Sequence, residues 1–189
     1  MFKCTSFLVF FLLVVSTPLR ADSCALTDAW LTLSVAMREH DARYDGCLQG
    51  EFLEGFDPTD LREETLAHIA ARFNNVNGLR SLHEHGATLE AINFLGETPL
   101  RAAIKENSTD AALYLLNLAT NVDDPDMSGR TLLFWAMGNK NAVIAKALLK
   151  RGCRTDTIYN EGESHFSALD YAKSKKLLEI LPLLQEKKP

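Results

Sequence analysis

The feature that most constrains this chain is a repeat. Thr65, Thr98 and Thr131 stand 33 residues apart, and Ser167 follows after 36. An alanine recurs five residues beyond each anchor, at Ala70, Ala103, Ala136 and Ala172. Leucine- and isoleucine-rich stretches follow at 79–82, 113–116, 144–149 and 180–184. Four copies in register at a period in the low thirties point to a solenoid, in which each unit buries its faces only by stacking on a neighbour.

The physics of one unit follows from its residues. The anchor hydroxyl is expected to cap a first helix by accepting from an orphan backbone N–H. Pro99 suits the first helical position, where no N–H is needed. The recurrent alanine lets two helices approach closely. A polar stretch such as Asn74-Asn75 or Gly138-Asn139-Lys140 turns the chain, and the second helix carries the aliphatic face. Gly86 and Gly152 are placed to end that second helix with positive φ.

Gly96-Glu97-Thr98-Pro99-Leu100 resembles the opening motif of the ankyrin repeat, with Arg101 where a histidine is usual and His68 in the histidine place of the preceding unit. Gly86-Ala87 resembles that family's helix-ending pair, and Gly152-Cys153 repeats it. The departures are Leu66, Leu132 and Ala168 in place of the proline, and Asn74, Asn107 and Lys140 in place of the turn glycine. The resemblance implies an all-α solenoid of about four helix-turn-helix units over residues 60–184. Residues 158–166 form a longer connection in the last unit. Residues 22–59 lack a clear copy of the motif, and helices are expected near 28–38 and 46–53, so this region reads as an atypical helical cap. Residues 185–189 read as a polar tail.

The first 21 residues differ in kind. A basic start, Met1-Phe2-Lys3, precedes an apolar run at 7–15, then Ser16, Thr17, Pro18 and a small residue at Ala21. That layout is expected to be a secretory signal peptide cleaved after Ala21. Nine apolar residues reach only about 14 Å as a helix against a hydrocarbon core of roughly 30 Å, so no permanent span is expected after cleavage. The sequence-level expectation is therefore an exported protein, periplasmic in a Gram-negative bacterium and otherwise secreted. Three cysteines would remain in an oxidising compartment, Cys24, Cys47 and Cys153. Cys24 and Cys47 are the expected disulfide, contributing on the order of 3 kcal/mol. The odd count leaves one thiol over.

Charge narrows the partner. The chain carries 20 Lys and Arg against 25 Asp and Glu, for a net −5. Without a clustered basic run, nucleic acid is not an expected partner. No nucleophile elbow, phosphate loop or Cys-x-x-Cys is present, so no enzyme activity, cofactor or metal is expected. His83 and His85 project about 200° apart on a helix and cannot readily share an ion. Glu161, Glu163 and His165 read as a polar loop, and Asn107-Ser108-Thr109 is a chance glycosylation match. His68 is expected to bond locally beside Thr65. Trp135 is expected in the core.

Surface recognition remains. In ankyrin arrays the hairpin tips and the exposed side of each first helix line a concave face that commonly binds another protein. Carried onto this chain, that face comprises Leu61, Arg62 and Glu64; Phe94, Leu95 and Glu97; and Met127, Ser128 and Arg130 at the tips. Arg72 and Phe73, Lys105 and Glu106, and Gly138 and Asn139 are its helix contributions. Apolar residues exposed at turn tips mark an interface. The expected function is an exported, non-catalytic binder of a protein partner. Alternatives are an immunity or inhibitor protein neutralising a toxin or lipase in the bacterial envelope, a periplasmic scaffold or assembly factor, and a secreted effector.

Overall fold

A computed structural model describes residues 29–40, 63–119, 121–126, 128–161 and 164–186. Among these residues the elements run α1 (Ala29–Glu39), α2 (Leu66–Arg72), α3 (Val76–Glu84), α4 (Pro99–Lys105), α5 (Thr109–Leu118), α6 (Leu132–Gly138), α7 (Ala142–Arg151), β1 (Ile158–Glu161), β2 (Ser164–Ser167), α8 (Ala168–Ser174) and α9 (Leu181–Glu186). The first helices pack in one row, α2 on α4, α4 on α6 and α6 on α8. The second helices form a parallel row, α3 beside α5, α5 beside α7 and α7 beside α9. One continuous apolar core lies between the rows.

The four periodic alanines, Ala70, Ala103, Ala136 and Ala172, are all fully buried. Any larger side chain there would hold the rows apart, because cores tolerate little added volume. The helix starts follow the expected chemistry in three units of four. Thr65, Thr98 and Ser167 accept from the backbone N–H of His68, Arg101 and Asp170. Thr131 departs from the expectation: it keeps the extended backbone of a cap, with φ −82° and ψ 170°, but its hydroxyl makes no cap bond. Gly152 ends α7 in the left-handed region at φ 92°, and Gly86 takes φ 90° after α3.

The turns between paired helices use Asn74, Asn107, Lys140 and Lys176, all with φ between 55° and 61°. Asparagine tolerates this region because its short amide bonds locally. Asn74 shows how: its Oδ1 accepts from Ala111 N at 2.9 Å and its Nδ2 donates to Asp110 at 3.1 Å, tying one unit to the next.

Helix α1 packs against α2. Asn75 Nδ2 donates to the Met37 carbonyl at 2.9 Å. His40 follows with φ 59°, 34 residues before Asn74, so α1 occupies the place of one more first helix. The helix expected near 46–53, the leader at 1–21 and the pair Cys24 and Cys47 lie outside the described residues. Cys153 is buried in the core.

The last connection differs from an all-α expectation. Strands Ile158–Glu161 and Ser164–Ser167 pair antiparallel, with Tyr159 opposite Phe166 and Ile158 opposite Ser167. Three extra residues in this connection give the strands room to pair, and aromatic rings pin them. Tyr159 lies 5.5 Å from Phe134 and 5.6 Å from Tyr171, and Phe166 lies 5.6 Å from Tyr171. The final helix carries to Glu186, into the stretch expected as a tail. Among the described residues no helix is long and apolar enough to cross a membrane.

Candidate functional site

The tips that precede α4 and α6 are built alike. Asn93 Oδ1 accepts from Leu95 N at 3.0 Å and Glu97 N at 2.9 Å. Asp126, 33 residues later, accepts from Ser128 N at 2.8 Å and Arg130 N at 2.9 Å through its own Oδ1. Each turn then needs a residue at positive φ, supplied by Gly96 at 70° and Gly129 at 77°. Asn93 and Asp126 lie outside the repeated anchors, alanines and leucine stretches, although their spacing of 33 is the sequence signal that pairs them.

Each tip is then stitched to the preceding unit by the residue three beyond an anchor. His68 is buried, and its Nδ1 accepts from the Thr65 backbone N–H at 3.2 Å. That fixes the neutral tautomer with the proton on Nε2, which donates to the Glu97 carbonyl at 2.8 Å. Burial lowers the His68 pKa below its ordinary 6.5, against the raising effects of the Glu97 carbonyl and of the Glu64 and Glu97 carboxylates, with Arg72 adding to the fall. Arg101 performs the same task one unit on, donating to the Asp124 carbonyl at 2.6 Å. In the third unit Phe134 stands in this place and holds the hairpin by its contact with Tyr159.

Held in this way, the tips and first helices form a shallow depression lined by Arg72, Leu95, Glu97, Ala102, Lys105 and Glu106. Five of the residues expected on this face, Arg72, Leu95, Glu97, Lys105 and Glu106, are thereby brought together. Its interior of about 60 Å³ is far below the roughly 300 Å³ at which small-molecule pockets begin. It suits a side chain of a macromolecule better than a cofactor. Arg72 donates to Glu64 at 2.7 Å and to Glu106 at 3.2 Å. Burial opposes its charge, but Glu64, Glu106 and Glu97 together raise its pKa. Lys105 pairs closely with Glu97.

Beyond the depression the pattern changes. The carboxylate place of Glu64 and Glu97 holds Arg130 in the third unit, the base place of Arg72 and Lys105 holds Gly138, and the place of Ala102 holds Trp135. Trp135, expected in the core, packs against it but is only partly buried. It is held by a 2.9 Å bond from Nε1 to Asp126 Oδ2. The Arg130 guanidinium lies 3.8 Å from its ring centroid, and Lys105 Nζ lies 5.2 Å from the same centroid. Asn139 donates to the Ile104 carbonyl at 2.7 Å, joining the two units beside the groove.

Phe94 is 73% exposed at its tip, and Phe73 and Leu95 are each a little under half exposed. The Arg38 guanidinium sits 5.8 Å over the Phe73 ring. Leu61, Arg62 and Met127 lie outside the described residues. Away from the groove, His85 bonds its own helix through the Ser81 carbonyl and His165 contacts Asn160. Among the described residues no group of His, Cys, Asp and Glu is arranged to hold a metal.

The family described as ankyrin repeats (3 copies) matches residues 40–126. Neurogenic locus notch homolog protein 1 of Mus musculus is 26% identical over 185 residues, covering 78% of this chain and 7% of its own length. Rabankyrin-5 of Mus musculus is 31% identical over 130 residues, 65% of this chain and 11% of its own length. B-cell lymphoma 3 protein homolog of Mus musculus is 28% identical over 130 residues, 66% of this chain and 28% of its own length. The matches therefore span less than a third of the length of each of these relatives.

Proposed function

We propose that this chain, whose residues 40–126 match the ankyrin repeats, a family that generally mediates protein–protein interaction, binds a protein partner through the groove face and performs no chemistry. The carrying observation is the conjunction at one place of an exposed apolar tip, Phe94 and Leu95, with the side-chain-sized depression that Leu95 shares with Arg72, Glu97 and Lys105. Apolar anchors beside charged groups are the arrangement that supplies affinity and orientation at protein interfaces.

The setting is part of the proposal. We propose export, on the basic start, apolar run and small residue at Ala21 that open the chain. In the envelope such a binder would serve as an inhibitor or immunity protein, or as a scaffold. N-terminal sequencing of the product from fractionated cells checks export: a chain beginning at Asp22 in the envelope or medium supports it, and a retained Met1 in the cytoplasm overturns it.

The binding test is affinity capture with the full chain and with the double variant Phe94→Asp, Leu95→Asp. The partner recovered by the parent chain is identified, purified and titrated against both. Loss of at least about tenfold in affinity with an unchanged melting temperature supports the groove, in line with the cost of removing interface anchors. Equal affinity places the interface elsewhere.

A further inference from the structure

The groove bases are unequally compensated. Arg72 meets two carboxylates, Glu64 and Glu106, and Lys105 meets Glu97. Among the described residues Arg130 meets only one carboxylate, Asp126, whose Oδ2 stands 3.6 Å from its Nε, too long for a hydrogen bond. That carboxylate is already engaged: Oδ1 takes the backbone N–H groups of Ser128 and Arg130, and Oδ2 takes the Trp135 indole. Among the described residues the buried Nε of Arg130 has no hydrogen-bond acceptor.

The guanidinium is nonetheless held in place. It stacks 3.8 Å from the Trp135 centroid and lies 5.4 Å from that of Tyr159. Stacking uses the faces of the planar group and leaves its N–H edge for a fork of parallel bonds. Lys105, against the same indole, adds a second positive charge nearby. Three carboxylates lie deeper than the bases: side-chain exposure is 7%, 13% and 16% for Glu64, Glu97 and Asp126, but 25%, 30% and 29% for Arg72, Lys105 and Arg130, while Glu106 beside Arg72 is 50% exposed. At the end of the groove formed by Lys105 and Arg130 the outward groups are therefore cationic, although the whole chain is acidic.

We propose that Arg130, stacked on Trp135 and not hydrogen-bonded to any carboxylate among the described residues, is the anchor for an Asp or Glu side chain on an acidic segment of the protein partner. This rests on the groove reading above and specifies the partner's chemistry. Because Nε is buried, the acid takes the terminal Nη1–Nη2 edge of the guanidinium while apolar residues of the same segment cover Leu95 and Phe94, with Lys105 joining the two places.

The test is selection of a random displayed peptide library on the full chain, followed by titration of a synthetic selected peptide. Enrichment of Asp or Glu among groove-bound peptides is expected. Replacing that acid by its amide in the peptide weakens binding about tenfold or more, as loss of a charge-assisted fork should. Arg130→Gln in the protein gives the same loss, Arg130→Lys a smaller one, and Lys176→Gln none. The amide peptide keeps the test valid should an Arg130 variant fold poorly. Peptides lost with Leu95→Asp but indifferent to the acid and to Arg130→Gln overturn this inference and leave groove binding standing. Peptides indifferent to Leu95→Asp as well, or no binders at all, overturn both.

Discussion

Replacing His68 by leucine tests how the tips are held. The change nearly keeps volume but removes the partner of the Thr65 backbone N–H and of the Thr65 hydroxyl, which lies 2.8 Å from Nδ1, and the donor to the Glu97 carbonyl. The carbonyl retains its bond from Asn93 N, so the orphaned N–H carries most of the cost. A buried unpaired group costs about 1–3 kcal/mol and a lost net bond about 1, so we expect a destabilisation of roughly 2–4 kcal/mol near neutral pH. The pH dependence supplies the sharper test. Burial lowers the folded-state pKa of His68 below 6.5. Below that value the unfolded chain therefore takes up the proton first, and wild-type stability falls as pH falls until the folded-state pKa is reached. The slope of this contribution cannot exceed about 1.4 kcal/mol per pH unit. The variant lacks it, so the gap between the two proteins is widest at about pH 7.5 and narrows towards about pH 5.5. Urea denaturation followed by far-ultraviolet circular dichroism measures both. A gap constant with pH, or one that widens on acidification, refutes a neutral buried His68.

Further expectations concern the turns, the interior and the tip. Glu63 holds φ 54° in the place that Gly96 and Gly129 occupy in later units. Glu63→Gly should therefore raise stability by about 0.5–1 kcal/mol in the same denaturation assay, and Gly129→Ala should lower it by about 1 kcal/mol. Ala136→Leu adds volume between the helix rows, where Ala136 is fully buried; a loss of about 1–3 kcal/mol or more is expected in thermal melts. Phe94→Asp removes a side chain that stands mostly in solvent, so stability should move by no more than about 0.5 kcal/mol while partner affinity falls.

The parts of this fold that could be read in advance are those repeated in register. Anchors, alanines and leucine stretches recur because every unit meets the same neighbours, so one copy predicts the next. What escaped was whatever breaks the period. Helix α1 was expected only as a cap, because it lacks the Thr anchor. Its place in the row of first helices shows in the backbone of His40 rather than in a motif. The hairpin at Ile158–Glu161 and Ser164–Ser167 arises from an insertion and is held by Phe134, Tyr159 and Tyr171 across distant sequence. Trp135 is the instructive case. Its position implied burial, but in the second unit the same place is Ala102 on the groove floor, and a larger ring there must reach the surface. The ion pairs of Arg72 and Lys105 were partly legible, since Glu64 and Glu97 stand eight residues before them. The stacking of Arg130 was not, because it depends on two aromatic residues from different units.

Hydrogen–deuterium exchange on the full chain, free and saturated with its captured partner, addresses groove binding most directly. The account predicts slowed exchange in the tip and first-helix peptides spanning 93–106 and 128–139, with α5 and α7 unchanged. Protection confined to α5 and α7, with the tips exchanging as before, would contradict it.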